Sequence, residues 1–304
     1  MHRNGVASVA LAGALALIAA CGASRPAAAA AAAPADQPRA LSLRYDIYVG
    51  GFYVFAFDAT VGLESGAYQV ALQGGTAGFV GRMFPWRAWM DSKGSVASVD
   101  PAPTGLTAAR FDNVAEWHRK AKRTSVTFEN GGRYAIEHDP PESPPDPRDD
   151  PLPSSLPSGT LDPVAAAIAA LAGSARDGGC ERRVPVFDGK RRYDLIVHNG
   201  DGLTTLKPNH LSAYRGLALS CRIAIDAISG FSKKRRYVQW GDAGSNTDQP
   251  TVWAAWFAPD MPLVPVRFLA SVSIGGNEST IMVHLVHAEV RDGHGTRVLA
   301  NLSR

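Results

Sequence analysis

The residues from Val164 to Leu171 are Val, Ala, Ile and Leu alone, so a helix built from them has no side suited to water. Asp162 offers an N-cap carboxylate, and Pro163 sits at the first helical position, where no N–H is needed. Gly173 is the expected C-terminal stop. A short helix of this kind must be covered all round. The residues after the helix have β character. Cys180 comes after a Gly-rich turn, then Val184, Val186 and Phe187, and Asp188-Gly189 with Lys190 and Arg191 forms a hairpin turn into residues 192–197. One helix packed on strands is the result.

Strand periodicity runs through most of the chain. Leu41, Leu43, Tyr45, Ile47 and Val49 alternate with Ser42, Arg44, Asp46 and Tyr48, and Gly50-Gly51 turns the chain. Tyr53, Phe55, Phe57, Ala59, Val61 and Leu63 give a second strand; Tyr68, Val70 and Leu72 give a third. Short strand-like pieces continue over residues 90–99, 106–111, 119–128 and 133–137. After Cys221 the alternation resumes through Ile223, Ile225 and Ala227, and segments 252–257, 264–273 and 280–289 finish the chain. Gly275-Gly276-Asn277 joins the last two as a hairpin turn. This is a mainly β chain with an antiparallel meander. Residues 139–157 are crowded with Pro, Asp, Glu and Ser and read as an exposed loop. A domain boundary there would leave an open sheet edge, so a single domain over 41–304 is expected.

The first twenty residues are an export signal: Arg3, then an apolar run from Val6 to Ala20 that is too short and Ala-rich for a permanent span. Ile18-Ala19-Ala20-Cys21 resembles the bacterial lipobox, in which the cysteine is diacylated and becomes the mature N-terminus. Cleavage at one of the alanines from Ala27 to Ala33 is the alternative, and would leave a soluble periplasmic protein. Gly22 is not an Asp-type retention residue, so a lipoprotein of this pattern is expected on the periplasmic face of the outer membrane. Residues 21–40, rich in Ala and Pro, form a tether.

Cysteine arithmetic agrees with export. Setting Cys21 aside leaves Cys180 and Cys221, which are expected to form a disulfide in an oxidising compartment. Closing a loop of about forty residues contributes roughly 4 kcal/mol in the chain-entropy model. A metal pair or a catalytic thiol is the rival reading, but neither cysteine has a His or second Cys at ligand spacing.

No catalytic constellation emerges. The chain has no Gly-x-Ser-x-Gly, no His-Glu-x-x-His, no Gly-rich phosphate loop and no Cys-x-x-Cys. His284 and His287 are three apart, on opposite faces of a strand, and are poor joint ligands. Asp188, Asp194 and Asp226 are acid/base candidates, yet a turn role is enough for Asp188. No metal and no cofactor are expected, and the protein is read as a non-enzyme. Two basic runs, Lys190-Arg191-Arg192 and Lys233-Lys234-Arg235-Arg236, enter strands with a Tyr following each. They are either solvated strand ends or a patch for lipid phosphates or an acidic partner. No nucleic-acid partner is expected, because export disfavours one.

Together these residues carry a family resemblance. Leu161-Asp162-Pro163, Cys180, the run from Val186 through Phe187-Asp188-Gly189-Lys190-Arg191-Arg192-Tyr193 to Leu195, Cys221, Val252-Trp253 and the segment from Pro262 to Val266 resemble the bacterial domain of unknown function 3108. Tyr45 and the Gly50 region fit as well, and the likeness spans about Leu41 to Val290. It implies an exported envelope protein with a large curved antiparallel sheet, comparable to the open barrels of lipoprotein carriers and to β-spiral envelope-integrity proteins. It implies no reaction and no catalytic residues. The expected function is binding of a lipid or a lipoprotein acyl chain in an apolar groove of the sheet, lined by Tyr53, Phe55, Phe57, Trp253 and Trp256. A structural or protein-binding lipoprotein of envelope assembly is the alternative, and a periplasmic hydrolase the third.

Overall fold

The computed structural model describes residues 39–64, 66–98, 105–141, 150–231, 249–257, 263–274, 277–293 and 295–302. The export signal, Cys21, all but the last two tether residues, the run from Lys233 to Arg236, Pro262 and the turn at 275–276 lie outside the described residues.

The first half is a meander: β1 (Arg39–Val49), β2 (Phe52–Glu64), β3 (Ala67–Thr76), the short helix α1 (Gly78–Met83), β4 (Trp86–Ser95), β5 (Thr107–Trp117), β6 (Lys120–Phe128) and β7 (Tyr134–Asp139). Then come helix α2 (Pro163–Asp177), β8 (Arg182–Phe187), β9 (Arg192–Leu206), β10 (Gly216–Ser229), β11 (Thr251–Trp256), β12 (Leu263–Ile274), β13 (Asn277–Asp292) and β14 (Gly295–Asn301). Among the described residues these strands make one antiparallel 14-stranded sheet in the order β7-β6-β5-β4-β3-β2-β1-β13-β12-β11-β10-β9-β8, with β14 added on β13. The first strand and the penultimate one meet in the middle of the sheet, because β1 pairs with β13.

The sheet does not close into a barrel, yet its two end strands, β7 and β8, lie close together. Tyr134 of β7 and Phe187 of β8 have ring centroids 4.7 Å apart. The segment between them fills the seam. Leu156 N–H donates to Gly132 O, Leu161 N–H donates to Pro185 O, and Phe187 N–H donates to Leu161 O. Exposed sheet edges invite association, and this strap pairs with the β8 edge at Leu161 and with the turn before β7 at Leu156. The loop expected to be exposed over 139–157 is therefore corrected at its C-terminal end, where Leu156 is buried.

Alternate residues of each strand face the core, where Tyr45 stacks on Phe57 at 4.8 Å and donates its hydroxyl to Pro265 O at 2.9 Å. α2 occupies this space and packs on β4, β8 and β12. Val164, Ala165, Ala166, Ala167 and Ile168 are fully buried, as the unbroken apolar run requires. Asp162 caps the helix by accepting from the N–H groups of Val164 and Ala165 and from Ser92 Oγ at 2.7 Å. The helix does not stop at Gly173. It continues to Asp177 and ends on Gly178, whose φ of 68° is the left-handed cap conformation. Gly173 serves close approach instead: a Cβ there would fall on the guanidinium of Arg182, which bonds Asp177 and Gly179 O. Cys180 and Cys221 form a disulfide that joins the chain just past α2 to β10.

Candidate functional site

One end of the sheet is built unlike the rest. The β1–β2 tip, the β3–β4 connection with α1, and the β5–β6 tip all lie at this end, because consecutive antiparallel strands turn at alternate ends. α1 has no side-chain cap and no buried residue. It is held by its flanks: Ala77 N–H donates to Val54 O, and Thr76 Oγ1 accepts from Trp86 N–H and donates to Phe84 O. Its side chains are therefore free to face out. Phe52, Phe79, Met83, Phe84 and Trp117 are 40 to 76% exposed. The Phe84 and Trp117 rings stack across two loops at 6.4 Å.

Behind this end lies an apolar pocket. Ile47, Phe55, Phe57, Leu72, Trp86, Ala88 and Met90 line it, with Gln73 and the backbone of Gly74 and Gly75. Phe55 and Trp86 meet edge to face at 5.8 Å. The enclosed space is only about 10 Å³. A side chain at Gly74 would strike Phe57, so this glycine permits the tight packing of β3 on β2.

Of the residues expected to line a groove, Phe55 and Phe57 meet in this pocket and Tyr53 packs nearby on Tyr48. Trp253 and Trp256 lie elsewhere. Trp253 shares a cross-strand row with Arg267, His284 and Asp46, whereas Phe57 is opposite Tyr45. Tyr45 and Asp46 are neighbours, so the two rows face opposite sides of the sheet. The five aromatic residues do not form one groove.

The basic hairpin is also corrected. Arg192 is buried, bonds Asp194 Oδ1 and donates to Tyr193 O. Asp194 in turn accepts from Arg183, which also bonds Asp226 at 2.8 Å. Arg191 lies over the Phe231 ring and beside Asp188. Lys190 is exposed. Asp188 accepts from the N–H groups of Lys190 and Arg191, the turn role expected of it. Arg183 and Arg192 thus knit β8, β9 and β10 together. Carboxylates two residues away or on neighbouring strands neutralise the run, and only register reveals that.

Two polar features were not legible. An open cleft of about 440 Å³ lies between β2, β1, β13 and β14, where Arg44, Asp58, His287, Glu289 and Asn301 converge from four strands. His287 sits 3.4 Å from both Asn301 and Glu289. The expected placement of His284 and His287 on opposite faces is corrected: an extra residue in β13, Val286, lets them oppose Asp46 and Arg44 on one sheet face. His284 is buried there, and among the described residues neither of its ring nitrogens has a hydrogen-bond partner. Burial first, then the charge of Arg267, pulls its pKa from 6.5 to about 4. In the core, burial pushes Asp162 from 3.8 up to about 6 against its hydrogen bonds. Among the described residues no three His, Cys, Asp or Glu side chains are grouped to hold a metal.

The family of proteins of unknown function DUF3108 matches residues 44–283, most of the chain. The protein belongs to this family. A solved structure similar to it is the β-barrel-like protein of domain of unknown function DUF1849 from Brucella abortus, at 11% identity and a TM-score of 0.44, covering 85% of this chain and 99% of that one. No curated protein sequence matches. In this DUF3108 protein, then, the exposed aromatic end and the pocket behind it form the largest grouping of exposed aromatic side chains among the described residues. α2 covers the core face of β4, β8 and β12.

Proposed function

We propose that this DUF3108 protein is a non-enzymatic, exported envelope protein, anchored through lipid on Cys21 at the periplasmic face of the outer membrane, that takes up an acyl chain of a lipid or lipoprotein at the aromatic end of its sheet. The observation that carries this is the lining of the pocket, apolar except for Gln73 and without any charged group. α2 and the core side chains fill the sheet's interior, so chain binding is restricted to this end. A chain enters by parting Phe55 and Trp86. No acid/base pair borders the pocket, which suits holding a ligand rather than transforming it.

The test is native mass spectrometry of the full chain, exported with its own leader and purified from envelopes in mild detergent. A stoichiometric lipid adduct, lost in Trp86→Ala, is expected, on a mature chain that begins with diacylated Cys21. A clean apo mass in both proteins sinks acyl-chain capture and turns attention to a protein partner in envelope assembly, sought by crosslinking in whole envelopes.

A further inference from the structure

We infer that the aromatic end of the sheet, carried by α1 and the β1–β2 and β5–β6 tips, docks on the surface of an anionic lipid bilayer. The inference rests on the lipid-directed reading above for the class of partner and names the bilayer itself, rather than one extracted chain, as what this end meets.

Three observations carry it. First, the exposed apolar side chains come from three separate connections and are Phe, Trp and Met, the amphipathic or large residues that settle in the headgroup region of a membrane. Second, cations surround them. Arg82 lies in α1, Arg87 follows Trp86, and Arg119, Lys120 and Lys122 follow Trp117; all are exposed, and none forms an ion pair among the described residues. Glu116 faces Arg87 across the β4–β5 pair. An excess of unpaired positive charge around apolar tips is complementary to anionic headgroups.

Third, the β5–β6 tip is kept in a conformation its residues disfavour. Trp117 pairs with Lys120, so His118 and Arg119 are the two central residues of the turn, with φ of 46° and 64°. Turns of this kind favour Asn-Gly, since both positions need positive φ. A histidine and an arginine there serve the surface and not the fold.

The test is co-sedimentation of the mature chain from Gly22 onward, exported behind a leader that is cleaved without lipidation so that neither the lipid nor the apolar leader anchors it, with vesicles of equal parts phosphatidylcholine and phosphatidylglycerol, or of phosphatidylcholine alone. The protein is expected to sediment with the anionic vesicles and to lose most of this binding in high salt. Phe79→Ser with Trp117→Ser, and separately Arg119→Glu with Lys120→Glu, are each expected to weaken binding about tenfold or more. Leu203→Ser, on β9 and equally exposed, is expected to change nothing. Urea midpoints equal to the parent's show that the variants are folded. Absence of vesicle binding in the parent, or binding unaltered in both double variants, overturns the proposal. A crosslinker at position 79 that captures a protein while vesicles fail also overturns it. Vesicle binding with a clean apo mass upholds docking while acyl-chain capture fails; bound lipid without vesicle binding does the reverse.

Discussion

The two helices of this fold differ in almost every respect that holds a helix in place. α2 has 15 residues, a side-chain N-cap, a left-handed glycine at its end, and strands packed on several sides. α1 has 6 residues, no side-chain cap and no buried residue. The first is fixed by burial of its own side chains. The second is fixed by hydrogen bonds from its flanks, so its side chains contribute little to folding and are available to a partner. Substitutions in and around α2 are therefore expected to register as stability, and those at α1 and its neighbouring tips as binding.

The largest effect is expected at the anchor of α2. The disulfide closes a separation of 41 residues and ties the chain past α2 to β10. Cys180→Ser with Cys221→Ser is expected to lower stability by about 4 kcal/mol, read as a shift of the urea midpoint. A shift near zero, with both thiols of the parent alkylated in the folded state, breaks the picture of α2 as a fixed plug.

The cap of α2 gives the next effect, and its sign is unusual for a carboxylate. The folded pKa of Asp162, about 6, lies above its ordinary 3.8, so the native state holds the proton more tightly than the unfolded chain. Stability from this group is present below pH 4 and falls as pH rises to 6, by on the order of 3 kcal/mol. His284 acts in the opposite direction. Its folded pKa, about 4, lies below 6.5, so its contribution is present above pH 6.5 and falls as pH drops to 4. The two slopes offset each other in the parent. Asp162→Asn keeps an acceptor for the cap N–H groups and removes one slope, so this variant is expected to lose on the order of 3 kcal/mol between pH 6.5 and 4, where the parent changes little. Denaturation at the two pH values checks this, and identical profiles refute it.

How far each region could be read in advance depends on the same contrast. α2 was legible because cap, proline and apolar run are contiguous; its length was not, since Gly173 answers to Arg182, a residue brought close only by the fold. α1 was missed because Gly78 and Gly81 weaken any helical pattern and Ala77 is no cap. The strands of the meander were legible from alternation, and the disulfide from the even pair. The groove was not: Phe57 and Trp253 are both aromatic residues on strands, and only the register separates their faces. The run from Lys190 to Arg192 drew notice as a block of charge, while the unpaired cations at Arg82, Arg87 and the β5–β6 tip are scattered in sequence and gathered only by the turns.

The β5–β6 tip offers a smaller effect that separates fold from surface. Arg119 holds a φ of 64°, a left-handed conformation that glycine adopts without the Cβ clash. Arg119→Gly is expected to raise stability by about 1 kcal/mol while weakening binding to anionic vesicles. A loss of stability, or unchanged binding, shows that the arginine is not kept for the surface.

The smallest stability effect is expected at α1 itself, and it makes the comparison sharpest. Ile168, fully buried in α2, loses roughly 2 to 5 kcal/mol on truncation to Ala, from lost transfer energy and the cavity left behind. Phe79 is a larger side chain, but at 72% exposed it has little surface withdrawn from water to lose. Phe79→Ala is therefore expected to stay within about 0.5 kcal/mol of the parent. Urea midpoints of the two variants, measured side by side, decide the matter. If Phe79→Ala falls toward Ile168→Ala, the phenyl ring packs on this chain in solution, and α1 belongs to the core rather than to a partner.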